Sequence, residues 1–195
     1  MSVRTIDLRR ENAFFHALNR GVDRQQIFFS PADYQCFLDI LQRFLNPSTV
    51  VLLAFALMPN HYHLIVHQLS PYAISNLIKR VCERYVKYIN RKRKRVGHLF
   101  QSPYIPKLVD NESYLLYLSR YVHLNPVSGG LVKLPEDWPF SSCQAYRGGM
   151  PNGFVDPRLI LDLAGGPERY QDYLHKPFVE CDMPLDKYLI DREFL

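Results

Sequence analysis

Two histidines one residue apart, His61 and His63, are spaced for metal chemistry. They lie in the run Met58-Pro59-Asn60-His61-Tyr62-His63-Leu64-Ile65-Val66. One apolar run, Val50 to Met58, precedes them, and another, Leu64 to His67, follows. Pro59-Asn60 is a turn signal between the two, so the segment reads as a β-hairpin. Alternate residues of a strand share a face. His61 and His63 therefore project side by side, with Tyr62 in the opposite face, and two imidazoles held that way can share a metal ion. A His-x-His pair also fits an ordinary solvated face, so the rest of the chain has to decide.

The elements that must position the pair follow from periodicity. Asn12 to Leu18 reads as a first strand, and Asn19-Arg20-Gly21 as a turn. Ser30-Pro31 marks a helix start, with Ser30 as N-cap and Asp33 in the first turn. That helix buries Tyr34, Phe37, Leu38, Leu41, Phe44 and Leu45, and Asn46-Pro47 stops it. The histidine hairpin comes next. Ser70-Pro71 starts a second helix, whose stripe is Ile74, Leu77, Ile78, Val81, Tyr85 and Tyr88 or Ile89. Tyr104 to Val109 is a fourth strand, and its prolines at 103 and 106 suit an edge. The order βαββαβ is the ferredoxin-like α+β plan: an antiparallel sheet, two helices on one face, the other face open. If Tyr62, Leu64 and Val66 pack under the helices, His61, His63 and His67 point to the open face.

A third helix is added to this plan. Asp110 or Ser113 caps it, and Pro126 ends it near Asn125. Leu115, Leu118 and Val122 form one stripe. Tyr114, Tyr117, Tyr121 and Asn125 form another, which for Tyr114 and Tyr117 reads as a face half buried against the sheet.

Charge is unevenly spread. From Lys79 to Arg95 nine bases face one acid, Glu83, giving +8, whereas residues 150–195 carry five bases and nine acids, giving −4. A basic helix beside an acidic extension points to a polyanion partner and to competition for that partner's site. The second helix carries Lys79, Arg80, Arg84 and Lys87, and its end Arg91, Lys92, Arg93, Lys94 and Arg95. These are the expected phosphate contacts. The length of 195 residues fits one domain with an appendage, here residues 1–149 and an acidic extension over 150–195 that either packs on the core or lies over the site, with short helices over Asp156 to Ala164 and Glu168 to Leu174. No apolar run reaches the length of a membrane span, and no signal peptide opens the chain. The four scattered cysteines, Cys36, Cys82, Cys143 and Cys181, read as reduced thiols of a cytoplasmic protein.

Met58-Pro59-Asn60-His61-Tyr62-His63-Leu64 resembles the HUH motif of the single-tyrosine transposases. Arg120-Tyr121-Val122-His123-Leu124-Asn125-Pro126-Val127, with Gly130-Leu131-Val132, is similar to that family's second signature. Smaller echoes are Asn19-Arg20-Gly21, Gly97-His98-Leu99-Phe100-Gln101 and Trp138-Pro139-Phe140-Ser141-Ser142. Within the family the chain looks most like the REP-associated tyrosine transposases, bacterial proteins that act on palindromic repeats. The resemblance implies metal-assisted cleavage and transfer of single-stranded or hairpin DNA. Tyr121 would be the nucleophile, Asn125 the third metal ligand beside His61 and His63, and Arg20 a further DNA contact. Two imidazoles by themselves suit zinc; the resemblance implies magnesium or manganese. It also implies a bacterial protein at the nucleoid, working as monomer or homodimer. His123 is a candidate general base.

Two other classes stay open at this stage. The ferredoxin-like sheet also serves RNA-recognition modules, which stack bases on sheet aromatics such as Phe14 or Phe15 here. A replication initiator or relaxase of the HUH class would share the chemistry.

Overall fold

The structure is a computed structural model that describes residues 7–101, 103–148 and 154–176. Four strands form one antiparallel sheet: β1 (Ala13–Arg20), β2 (Val50–Met58), β3 (His61–Gln68) and β4 (Ile105–Val109). Their order is β2-β3-β1-β4, so the hairpin strand β3 is central and β4 is an edge. Proline at 106 is tolerated there, opposite Ala17. Helices α1 (Pro31–Phe44) and α2 (Ala73–Arg93) pack on one face. Phe15, Phe37, Leu41, Tyr62, Leu64, Val66, Ile74, Val81 and Tyr85 make the core between them.

The second face is not open, as the two-layer plan expects. Helix α3 (Glu112–Ser128) lies on it, joined by two short helices, α4 (Arg158–Ala164) and α5 (Pro167–His175). Leu53, Ala54, Ala56 and Ile65 of the sheet meet Leu115, Leu118, Val122, Tyr146, Ile160, Tyr170 and Leu174 in a second core. A bulge at Leu53 lets β2 serve both cores: Leu52 pairs with Val66 and Ala54 with Ile65, so one extra residue turns toward α3. Phe15 is fully buried in the first core, so it cannot stack an RNA base on an open sheet.

Several boundaries differ from expectation. Strand β1 runs on through Asn19 and Arg20, expected as a turn, because they pair with Tyr62 and His61. Helix α2 begins at Ala73 because Tyr72 sits in the left-handed region, φ 59°, and breaks the continuity from Ser70-Pro71. Helix α3 is capped by Asn111, whose side chain accepts from the Tyr114 N–H at 2.7 Å, rather than by Asp110 or Ser113. Helix α3 also runs three residues past Asn125. Pro126 lacks an N–H to give to the carbonyl of Val122, yet the next bonds resume: Gly129 N–H donates to Asn125 O and Leu131 N–H to Pro126 O. Asn125 thus keeps helical placement.

The edge strand β2 is closed by the Trp138–Ser142 segment. Trp138 Nε1 donates to Leu57 O at 2.9 Å, and Leu57 N–H donates to Phe140 O at 2.9 Å. The other echoes also meet. Val22 N–H donates to Leu99 O, and Gln101 N–H donates to Arg20 O. Gly21 is required in that turn, since a Cβ there would lie 2.2 Å from Gln25 O.

Candidate active site

The hairpin turn is clamped from outside before it presents its histidines. Ile27 and Phe28 N–H groups both donate to Pro59 O, and Gly21 N–H donates to Asn60 O. The Asn60 side chain works in two directions. Its Nδ2 donates to Arg24 O at 3.3 Å, and its Oδ1 lies 2.7 Å from His61 Nδ1. An amide oxygen only accepts, so His61 carries its proton on Nδ1. Its Nε2 is then a lone pair, and it faces Asn125 Oδ1 at 3.2 Å.

The same-face reading of the pair holds. The His61 and His63 rings meet edge to face at 4.9 Å, and the Tyr121 ring stands edge to face against His63 at 5.8 Å. Helix α3 therefore brings Tyr121 and Asn125, one turn apart, over the two histidines of β3. His61, His63 and Asn125 are all buried, while Tyr121 is half buried. An open pocket at one side is lined by Arg24, Met58, Pro59, His61, Asn125 and Leu131, among others.

These groups fit a metal. Two acceptors, His61 Nε2 and Asn125 Oδ1, point at each other, and His63 Nε2 is buried with no hydrogen-bond partner. A cation can satisfy such buried acceptor atoms. The set is two imidazoles and an amide; among the described residues no cluster of three or more His, Cys, Asp or Glu is arranged for a metal.

Burial sets the protonation of this layer. His63 is pushed down to about 3, first by burial and then by the charge of Lys107. His16 is held well below its ordinary value by burial, then by His63, Lys107 and His61. His123 is also lowered to about 3 by burial. It is not placed as a general base for Tyr121. Its Nδ1 lies 2.7 Å from Tyr170 OH and its Nε2 2.8 Å from Ser142 Oγ, so both nitrogens are used in the second core.

These shifts give a pH prediction. The unfolded chain takes up a proton on each histidine near ~6.5, while native His63 and His123 stay neutral down to about 3. Their contribution to stability is full above ~6.5 and is lost as pH falls toward 3, at about 1.4 kcal/mol per pH unit for each ring. Urea melts at pH 7.5 and 5.5 should show the loss. Equal stability at both values would mean that these rings are solvated.

The basic residues separate into two groups. Arg20 is in register with His61 and so shares the site's face; its guanidinium donates to Gln101 Oε1 at 3.1 and 3.3 Å. Helix α2 lies across the sheet, on the face away from Tyr121. Lys79, Arg84, Lys87, Arg91 and Lys94 are exposed there. Arg80 stacks on Phe44 and Arg93 on Phe29. Lys92 Nζ reaches Asp33 Oδ1 at 2.5 Å, a bond that joins α2 to α1. Arg95 donates to Gln25 Oε1.

Two residues of the layer escaped the sequence reading, His16 and Lys107, which face each other across β1 and β4. Only strand pairing brings them to the histidines, and the sequence pattern does not print that pairing.

Residues 10–125, more than half of the chain, match a family model described as transposase, IS200-like. The chain belongs to the IS200-like transposase family. A Haemophilus influenzae protein described as a REP-associated tyrosine transposase is 28% identical over 102 residues, 46% of this chain. The match spans 56% of that relative's length. Among solved structures, a REP-associated tyrosine transposase bound to a REP hairpin superposes with a TM-score of 0.63 at 18% identity. That superposition covers 80% of this chain and 89% of the other, and it shows a shared fold. Among the described residues no helix is long and apolar enough to cross a membrane.

Proposed function

We propose that this chain cuts and rejoins single-stranded DNA at hairpins of the REP type, through a covalent tyrosine intermediate. The observation that carries the reading is the meeting of His61, His63, Asn125 and Tyr121 in one layer between β3 and α3. Family membership and the hairpin bound to the similar structure support the substrate class.

His61, His63 and Asn125 would hold a divalent ion, magnesium or manganese. When bound, that ion withdraws charge from a non-bridging oxygen of the scissile phosphate. Tyr121 Oη attacks phosphorus and loses its proton; the P–O3′ bond breaks and the 3′ oxygen is protonated as it leaves. The products are a 5′-phosphotyrosine and a 3′-hydroxyl. One phosphodiester replaces another, so the step reverses and strands can be exchanged.

The separation of Tyr121 from the basic face of α2 suits a folded substrate better than a short strand. A groove between α1 and α2, lined by Ile40, Arg84, Lys87, Tyr88 and Arg91, would follow the phosphates of a hairpin stem. Arg20 would contact the strand that reaches the cut site. Such a substrate places the protein's work at the nucleoid.

The test is denaturing electrophoresis of the protein with end-labelled hairpin DNA and manganese. A covalent protein–DNA band is expected, and it should vanish in EDTA and in His61→Ala or His63→Ala. Full cleavage by the double alanine variant in EDTA would overturn the metal assignment.

A further inference from the structure

The two candidate ligands are oriented by different neighbours. His61 Nδ1 faces an amide oxygen, that of Asn60. His63 Nδ1 faces a third imidazole, His16 Nε2, at 2.9 Å, with the rings inclined by 17°. His16 lies in the middle of β1 and is 1% exposed. It pairs in register with Ile65, which puts it on the site's face and diagonal to His63.

A nitrogen–nitrogen contact of this length holds one proton. Two neutral imidazoles carry two, so the second rests on either His63 Nε2 or His16 Nδ1. Both atoms are buried and have no hydrogen-bond partner. The two arrangements differ in consequence. If His16 donates, His63 keeps its proton on Nε2 and cannot bind a metal through it. If His63 donates, its Nε2 is a lone pair in the site.

We propose that His16 is a positioning residue: it accepts the His63 Nδ1–H and so holds His63 as the tautomer that can ligate a divalent cation. The inference rests on the reading of His63 as a ligand. A metal-bound histidine ordinarily gives its other N–H to a carboxylate, a carbonyl or water. At this position a carboxylate would bring a charge into a layer closed by α3, which is costly. An imidazole accepts the same proton without one. It also ties the ring's orientation to β1, so that two paired strands fix His63.

The full chain with 15N-labelled histidine is compared as wild type, His16→Gln and His16→Leu. Long-range 1H–15N spectra at pH 7.5 without metal report the His63 tautomer, and electron paramagnetic resonance of free Mn2+ reports affinity. Thermal melts check folding. Wild type should show His63 as the Nδ1–H form. His16→Leu should lose that preference and bind Mn2+ about 10- to 100-fold more weakly. His16→Gln, whose amide oxygen can accept, should recover most of both. A folded His16→Leu with wild-type tautomer and affinity overturns the proposal. If His16→Leu does not fold, a wild-type His63 in the Nε2–H form overturns it, and an Nδ1–H form kept by His16→Gln supports it. Equal Mn2+ affinity in wild type and His63→Ala would instead remove the metal reading, while the tautomer measurement still judges His16.

Discussion

Tyr121→Phe should give a folded protein that binds hairpin DNA as the wild type does and forms no covalent adduct. The substitution removes one hydroxyl from a half-buried ring and keeps the edge-to-face contact with His63. Among the described side chains beside the candidate ligands, His61 and Asn125 face each other and His63 is buried, which leaves the Tyr121 hydroxyl as the candidate nucleophile. Loss of a nucleophile costs roughly 10^4- to 10^6-fold in turnover, so the adduct should fall below detection. Tyr114 and Tyr117 are the controls. Tyr114 is buried in the second core, and its ring stacks with that of Tyr117 one turn away from Tyr121. Tyr114→Phe and Tyr117→Phe should keep the adduct. An adduct that survives in Tyr121→Phe and disappears in Tyr117→Phe would move the nucleophile to the neighbouring turn.

The parts of this site that were legible in the sequence are those set by local geometry. Pro59-Asn60 between two apolar runs gives a hairpin, and the two-residue period puts His61 and His63 on one face. The helical period puts Tyr121 and Asn125 together. Helix α3 overrode the local penalty of Pro126, since one lost bond at its last turn is outweighed by Leu115, Leu118 and Val122 in the core. Contacts made across the sheet were not legible. His16 reads as one more residue of an apolar strand until β1 pairs with β3. The ferredoxin-like plan already puts α2 on the face opposite the histidines, but sequence shows only the charge of its basic stretch and not which of its cations are engaged by other side chains. Lys92 is such a case. It reads as a phosphate contact and is found on the buried carboxylate of Asp33. Short helices over Asp156 to Ala164 and Glu168 to Leu174, packed on the core, are legible as one reading of the extension; that Ile160, Tyr170 and Leu174 close the second face beside α3 is a contact across the chain that sequence does not show.

Those short helices carry the other large expected effect. A chain ended after Gly149 should be much less stable than one ended after Lys176. Residues 154–176 return to the sheet. Val155 bridges to Leu52 on β2, and Ile160, Tyr170 and Leu174 fill the second core beside α3. The Tyr170 hydroxyl lies 2.7 Å from His123 Nδ1 and donates to Ser119 Oγ, while Ser142 Oγ on the other side of His123 bonds Phe55. The guanidinium of Arg120 donates to Lys176 O and lies over the Tyr173 ring. Removing the three large side chains costs about 2 kcal/mol each in lost burial, and a stranded buried His123 adds about 1–3 kcal/mol. That approaches the whole stability of an ordinary domain. Tyr170→Phe isolates the polar part and should cost about 1–3 kcal/mol by itself. Because His123 and Arg120 flank Tyr121 on α3, the short chain should also cut poorly although it keeps every candidate catalytic group. The expectation that the acidic extension over 150–195 covers the DNA site meets residues 154–176 packed in the second core, while residues 177–195 lie outside the described residues. The chain ended after Lys176 tests it apart from stability: tighter single-strand binding at two salt concentrations, with faster cleavage, would assign a gate to that segment. Unchanged binding in that chain, together with early melting of the one ended after Gly149, would leave the extension a structural role only.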